Sequence, residues 1–74
     1  MTLEVRKQQA DDNFVIFWAD NPVFRDAIVV LGGKITTRYA KHGVEVSWDI
    51  RIDETKKQDC IDFCKRIKNG MDKP

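Results

Sequence analysis

The chain has 74 residues, with 13 lysine and arginine residues against 12 aspartate and glutamate residues. This length accommodates a single domain, residues 1–74, and the near balance of charge argues against both a strongly basic nucleic-acid binder and an acidic mimic of DNA. No apolar run approaches the roughly 18 residues that cross a bilayer, and no signal-peptide pattern opens the chain. Cys60 and Cys64, four residues apart in a predicted helix, are poorly placed for a disulfide, so we expect a reducing, cytoplasmic setting.

The first part of the chain predicts two strands followed by a helix. Weak alternation over residues 2–9 indicates a short edge strand, and the composition of Ala10–Asn13 is typical of a turn. Phe14–Ala19 is a continuous apolar run that suits a central strand covered on both faces. Asn21 and Pro22 then form a helix start, because asparagine caps helices and proline fits their first position.

Residues 22–31 allow two interpretations. Their apolar side chains recur at helical spacing, and the glycines at 32 and 33 would end a helix with a left-handed cap; the apolar set is Phe24, Ala27, Ile28 and Leu31. The β-branched run Ile28-Val29-Val30 also suits a strand, in which case the two glycines would form a hairpin turn. The agreement between start and stop signals favours the helix.

The clearest pattern in the sequence is a strict alternation of apolar and polar residues over residues 44–52. Its apolar members are Val44, Val46, Trp48, Ile50 and Ile52. Such alternation predicts a strand with one dry face, so we expect Trp48 and Ile50 in the core. Upstream, Ile35, Thr37 and Tyr39 also alternate, and Lys41-His42-Gly43 offers a tight turn. The two segments predict a β-hairpin.

The end of the chain predicts a second helix. Residues 53–55 offer caps, Thr55 and Gln58 fit a capping box, and Gly70 provides a stop. The apolar side of this helix would contain Cys60, Ile61, Phe63, Cys64, Ile67 and Met71.

These elements follow the order β-β-α-β-β-α, which predicts an α+β fold. We expect a two-layer sandwich: a four-stranded antiparallel sheet with two helices on one face. A domain of this size buries little surface by itself, and self-association is one way to bury more, so a homodimer is expected.

Motifs for catalysis or cofactor binding are weak. His42 lies in a predicted turn, where a solvated polar role is commoner than a catalytic one, and no nucleophile elbow or phosphate-binding loop occurs. Cys60 and Cys64 with His42 give at most three soft ligands at a spacing unlike that of zinc sites. We therefore interpret the cysteines as reduced, buried core residues, and we expect no metal, no cofactor and no enzymatic activity.

A partner-binding face is predicted from the way side chains alternate between the two faces of the apolar strand Phe14–Ala19. If Phe14, Ile16 and Trp18 enter the core as the larger set, Val15 and Phe17 point outward. The same outer face is expected to contain three arginines, namely Arg6, Arg38 and Arg51.

Aromatic residues and arginine are enriched where proteins bind each other, and they also hold stacked bases on RNA-binding sheets. The leading hypothesis is a small non-enzymatic binding or regulatory module that acts through a protein–protein contact, with a homodimer as its expected form. The alternative is a nucleic-acid-binding domain that uses this aromatic and arginine sheet face.

Overall fold

The fold was taken from a computed structural model, which describes residues 1–9 and 13–72. Its elements are β1 (Leu3–Gln9), β2 (Phe14–Ala19), α1 (Pro22–Val30), β3 (Lys34–Lys41), β4 (Val44–Asp53), a short 3-10 turn (Glu54–Lys56) and α2 (Lys57–Asp72). The sheet has the strand order β1-β2-β4-β3, and every neighbouring pair is antiparallel. The predicted α+β two-layer fold is therefore confirmed. Of the predicted turn at Ala10–Asn13, only Asn13 lies within the described residues.

Local chemistry explains where α1 begins and ends. Asn21 is its N-cap, and the Asn21 side-chain oxygen accepts a hydrogen bond of 2.8 Å from the backbone N–H of Phe24. Gly32 follows the helix with φ +111°, a conformation that favours glycine. Residues 22–30 thus form a helix, and the hairpin interpretation of this segment is excluded.

The predicted hairpin is confirmed, with a turn of two residues. His42 and Gly43 connect β3 to β4 with φ +55° and +80°. Positive φ at both central residues is the feature of a type I′ turn, whose twist matches that of the flanking strands.

The start and end of α2 differ from the predicted ones. The Asp53 carboxylate accepts hydrogen bonds from the backbone N–H and the hydroxyl of Thr55, while the Gln58 side chain donates to Asp62. The predicted Thr55–Gln58 capping box is therefore wrong, because the backbone N–H of Thr55 is already bonded to Asp53. The helix also continues past Gly70 to Asp72, since one glycine lowers helix stability by only about 1 kcal/mol.

One core lies between the sheet and the two helices. Its buried residues come from β2, β4, α1 and α2: Val15, Phe17, Ala19, Trp48, Ile50, Ile52, Phe24, Ala27, Ile28, Cys60 and Cys64. Trp48 and Ile50 are buried as predicted, whereas Val44 and Val46 lie towards the hairpin tip and are exposed. Both cysteines are free thiols in this core.

The parity prediction for β2 is wrong. Val15 and Phe17 are fully buried against the helices, whereas Phe14, Ile16 and Trp18 lie on the opposite face and are only partly covered. The register explains the outcome, because Val15 pairs with Ile52 and Phe17 with Ile50, so these residues share a face. The helices cover one face of β2 and not both.

A bulge also reverses part of β3. The register shifts between Ile35, which pairs with Ile50, and Thr37, which pairs with Asp49, so one extra residue sits between them. An extra residue moves every following side chain to the other face. Arg38 therefore pairs with Trp48 on the helix side, and its predicted outer placement is wrong.

Candidate functional site: the open sheet face

The sheet face away from the helices carries the most distinctive cluster of side chains in the structure. We call it the open face and define it by Arg6 of β1, Phe14, Ile16 and Trp18 of β2, Tyr39 of β3, and Asp49 and Arg51 of β4. Cross-strand register assigns the positions on β2, β3 and β4, since Trp18 pairs with Asp49, Ile16 with Arg51, and Tyr39 with Ser47. Arg6 lies in the bulge of β1, and its contacts with Asp49 and Tyr39 place it on this face.

Apolar and aromatic groups form the centre of the open face. Ile16 and Trp18 are half-buried, while the phenylalanine ring of Phe14 and the phenol of Tyr39 are each 37% exposed. These groups occupy four different rows of the sheet, on the side away from α1 and α2. The result is an amphipathic surface of a kind that proteins use for recognition.

Asp49 connects three strands of this face. Its Oδ2 accepts a hydrogen bond of 2.7 Å from the Tyr39 hydroxyl, and its Oδ1 lies 3.7 Å from Nη1 of Arg6. At that distance the two groups form an ion pair but no hydrogen bond, so the buried Oδ1 has no hydrogen-bond donor among the described residues. The hydrogen bond to Asp49 raises the pKa of Tyr39 above its ordinary value, because it stabilises the protonated phenol.

Arginine side chains lie over the aromatic rings. The Arg51 guanidinium carbon is 3.7 Å from the ring centroid of Phe14, and the Arg6 carbon is 5.5 Å from that of Tyr39. Arg6 belongs to β1 and Asp49 to β4, so the Arg6 side chain must cross β2 to reach its partners. Both arginines that the structure places on this face therefore have ring contacts within the chain.

The charges of the open face are mixed. Besides Asp49, the register assigns Glu4 and Asp53 to this side, and besides Arg6 and Arg51 it assigns Lys34. Among the described side chains the two signs are thus equal in number. This balance does not form the continuous positive surface that follows a phosphate backbone.

The open face only partly matches the predicted partner-binding set. Arg6 and Arg51 lie on it as expected, but Val15 and Phe17 are in the core and Arg38 is on the helix side. The predicted binding set did not include Phe14, Ile16, Trp18, Tyr39 or Asp49. The strict alternation of residues 44–52 already assigned Asp49 to a polar face, which was the available signal for it.

The helix side offers less for binding chemistry. Hollows of about 520 and 260 Å³ lie along α2, and the larger is lined by Leu31, Asp59, Asp62, Phe63 and Arg66. Within residues 1–9 and 13–72, no cluster of three or more histidine, cysteine or acidic residues is arranged to hold a metal. In the same part of the chain, no helix has the length and apolar character needed to cross a membrane.

The thiols are poor nucleophiles. Cys60 and Cys64 are at most 2% exposed, and burial raises the pKa of both thiols to about 11. With this pKa the thiols are almost entirely protonated near neutral pH, and the thiolate is the reactive form.

No family model, curated protein or solved structure matches this chain.

Proposed function

We propose that this chain is a small non-enzymatic module that works through a protein–protein contact made by the open face. One observation carries the proposal: Ile16 and Trp18, on a central strand, lie on the sheet side that has no helix above it, flanked by Arg6, Arg51 and Tyr39. Tryptophan, tyrosine and arginine are the residues most enriched at interface hot spots.

Charge and ring contacts favour a protein partner over a nucleic acid. Nucleic-acid binding gains most of its affinity from phosphate contacts, whereas the described charges of the open face are balanced. The Arg51 guanidinium already stacks on one side of the Phe14 ring, so a nucleic-acid base cannot stack on that side. The buried free thiols support a reducing, cytoplasmic setting.

The experiment compares Trp18→Asp with the matched control Val30→Asp. Val30 is 77% exposed on α1, far from the open face in the fold, so both variants add one carboxylate at a surface position. Light scattering and capture by the immobilised chain would measure self-association and binding of other proteins. We expect Trp18→Asp to lose at least about 2 kcal/mol of binding free energy, and Val30→Asp to bind as the parent does.

Circular dichroism of both variants provides the folding control. Equal binding by Trp18→Asp and the parent would contradict the proposal. Salt-sensitive binding of an oligonucleotide that Arg51→Ala weakens would instead favour the nucleic-acid-binding alternative, because each phosphate contact releases counterions.

A further inference from the structure

The open face has an ordered charge pattern that becomes visible when it is divided into rows across the strands. One row contains Glu4, Trp18, Asp49 and Thr37, and the adjacent row contains Ile16, Arg51 and Lys34. Counting only the side chains that the structure describes, the first row carries two carboxylates, one of them with Arg6 at 3.7 Å, and the second row carries two cations. Each row also has one large apolar side chain on the same strand, β2.

This pattern is self-complementary under a two-fold rotation. An axis that runs parallel to the rows, midway between them and in the plane of contact, places each row of one copy opposite the other row of its mate. Asp49 of each copy then faces Arg51 of the other copy, and the Trp18 indole faces Ile16 of the second copy. A two-fold contact requires the same patch to be complementary to itself, and this arrangement satisfies that condition.

We propose that the occupant of the open face is a second copy of this chain, packed sheet to sheet with its Trp18 row opposite the Ile16 row. The inference rests on the proposed function and specifies its partner. In this arrangement Asp49, which contacts Tyr39 and Arg6 of its own chain, faces the opposite charge of Arg51 of the second copy. The strands of the two sheets run nearly parallel to one another, as in aligned sandwiches, with the sheets about 10 Å apart.

The size of the molecule is compatible with this contact. The body measures 41 × 31 × 17 Å, so it is a flat slab. A stable interface requires roughly 800 Å² from each partner, which a broad side of such a slab can supply. Association through a strand edge is disfavoured, because both edge strands carry a bulge: β1 between Val5 and Lys7, and β3 between Ile35 and Thr37.

A charge-reversal experiment tests the arrangement of the rows. Arg51→Glu places a carboxylate opposite Asp49 of the second copy, and Asp49→Lys places an ammonium group opposite Arg51. Each variant alone should dimerise at least about tenfold more weakly than the parent, since like charges then face each other twice. An equimolar mixture should recover dimers, because both facing pairs are again of opposite sign. Lys65→Glu on α2 is the control and should dimerise as the parent does.

Thr37 offers a second test that leaves Asp49 itself unchanged. Thr37 faces Lys34 of the second copy, so Thr37→Glu should tighten the dimer by about threefold to tenfold, and Thr37→Lys should weaken it to a similar degree. Sedimentation equilibrium measures both effects. This pair decides the matter if circular dichroism shows that Asp49→Lys is unfolded.

The outcomes separate this inference from the proposed function. A parent chain that stays monomeric up to about 1 mM overturns the second copy as occupant, and the Trp18→Asp comparison with other proteins then judges the open face independently. A parent dimer that Trp18→Asp disrupts, but that responds to neither the mixture nor the Thr37 pair, overturns the two-fold arrangement while the open face remains the contact.

Discussion

Two phenylalanines on one strand have opposite roles. Phe17 is fully buried between the sheet and the helices, while Phe14 lies on the open face at 37% exposure under the guanidinium of Arg51. Two phenylalanines three residues apart therefore have different roles: Phe17 packs in the core and Phe14 forms part of the surface.

Alanine substitution at these two positions measures which face of β2 is the core. We expect Phe17→Ala to lower the free energy of unfolding by about 3–5 kcal/mol, because it leaves a cavity in a packed core. Phe14→Ala should lower it by only about 1 kcal/mol, the scale of an exposed cation–π contact. Urea unfolding measures both values, and a larger loss for Phe14→Ala would reverse the assignment of the faces.

The sequence could not decide this parity. All six residues of Phe14–Ala19 are apolar, so both faces of β2 satisfied the hydrophobic pattern, and the greater area of Phe14, Ile16 and Trp18 favoured the wrong set. The deciding fact is the register between β2 and β4, which pairs Phe17 with Ile50. Pairing between strands that are about 30 residues apart leaves no local signal in either one.

At the scale of the elements, the junction between α1 and β3 depends on the absence of a side chain. A Cβ at Gly33 would lie 2.7 Å from Cγ2 of Ile28, 2.8 Å from the backbone oxygen of Ile28 and 2.8 Å from Cγ2 of Ile50. The backbone N–H of Gly33 also donates a hydrogen bond of 2.9 Å to that same oxygen. The end of the helix and the start of the strand are thus in close contact.

Two glycine substitutions should have opposite effects. Gly33→Ala should lower stability by about 1–3 kcal/mol, the range typical of overpacking. At Gly70, within α2, a Cβ would meet no atom within 4 Å, so Gly70→Ala should raise stability by up to about 1 kcal/mol through helix propensity. Thermal unfolding of the two variants beside the parent would show a rise and a fall; two shifts of the same sign would contradict this account.

Elements marked by helix caps or by a regular apolar pattern could be predicted from the sequence. The β-bulge, which depends on how two strands pair, could not. Asn21 and Gly32 set the limits of α1, and the alternation of residues 44–52 identified β4. The bulge between Ile35 and Thr37 was not predicted, because Ile35, Thr37 and Tyr39 were assigned to one face of a regular strand. That one extra residue moved Arg38 off the predicted face and placed Tyr39 on the open face.

At the scale of the whole molecule, the buried thiols couple stability to alkaline pH. In the unfolded chain both thiols ionise near the ordinary pKa of 9.0, whereas burial holds the pKa in the fold at about 11. Between these values the unfolded state has lost protons that the folded state retains, so ionisation favours unfolding.

We therefore expect the thiols to lower the free energy of unfolding progressively as the pH rises from 9 to 11, and to have no such effect below pH 9. The Tyr39 hydroxyl also ionises in the alkaline range, so the control is the double variant Cys60→Ala with Cys64→Ala. Urea unfolding as a function of pH should give a steeper alkaline decline for the parent than for this variant. Equal slopes would show that the thiols are solvated in the fold.

The two tryptophans lie on opposite sides of one sheet. Trp48 is 4% exposed in the core, with the guanidinium carbon of Arg25 at 4.5 Å from its ring centroid, whereas Trp18 is half-buried on the open face. Their fluorescence therefore reports two different processes: the indole of Trp48 senses the unfolding of the core, and that of Trp18 senses the arrival of a binding partner. A chain that keeps only one of these indoles, with phenylalanine in place of the other, would display a single process optically, so folding and association could be followed separately in the same cuvette.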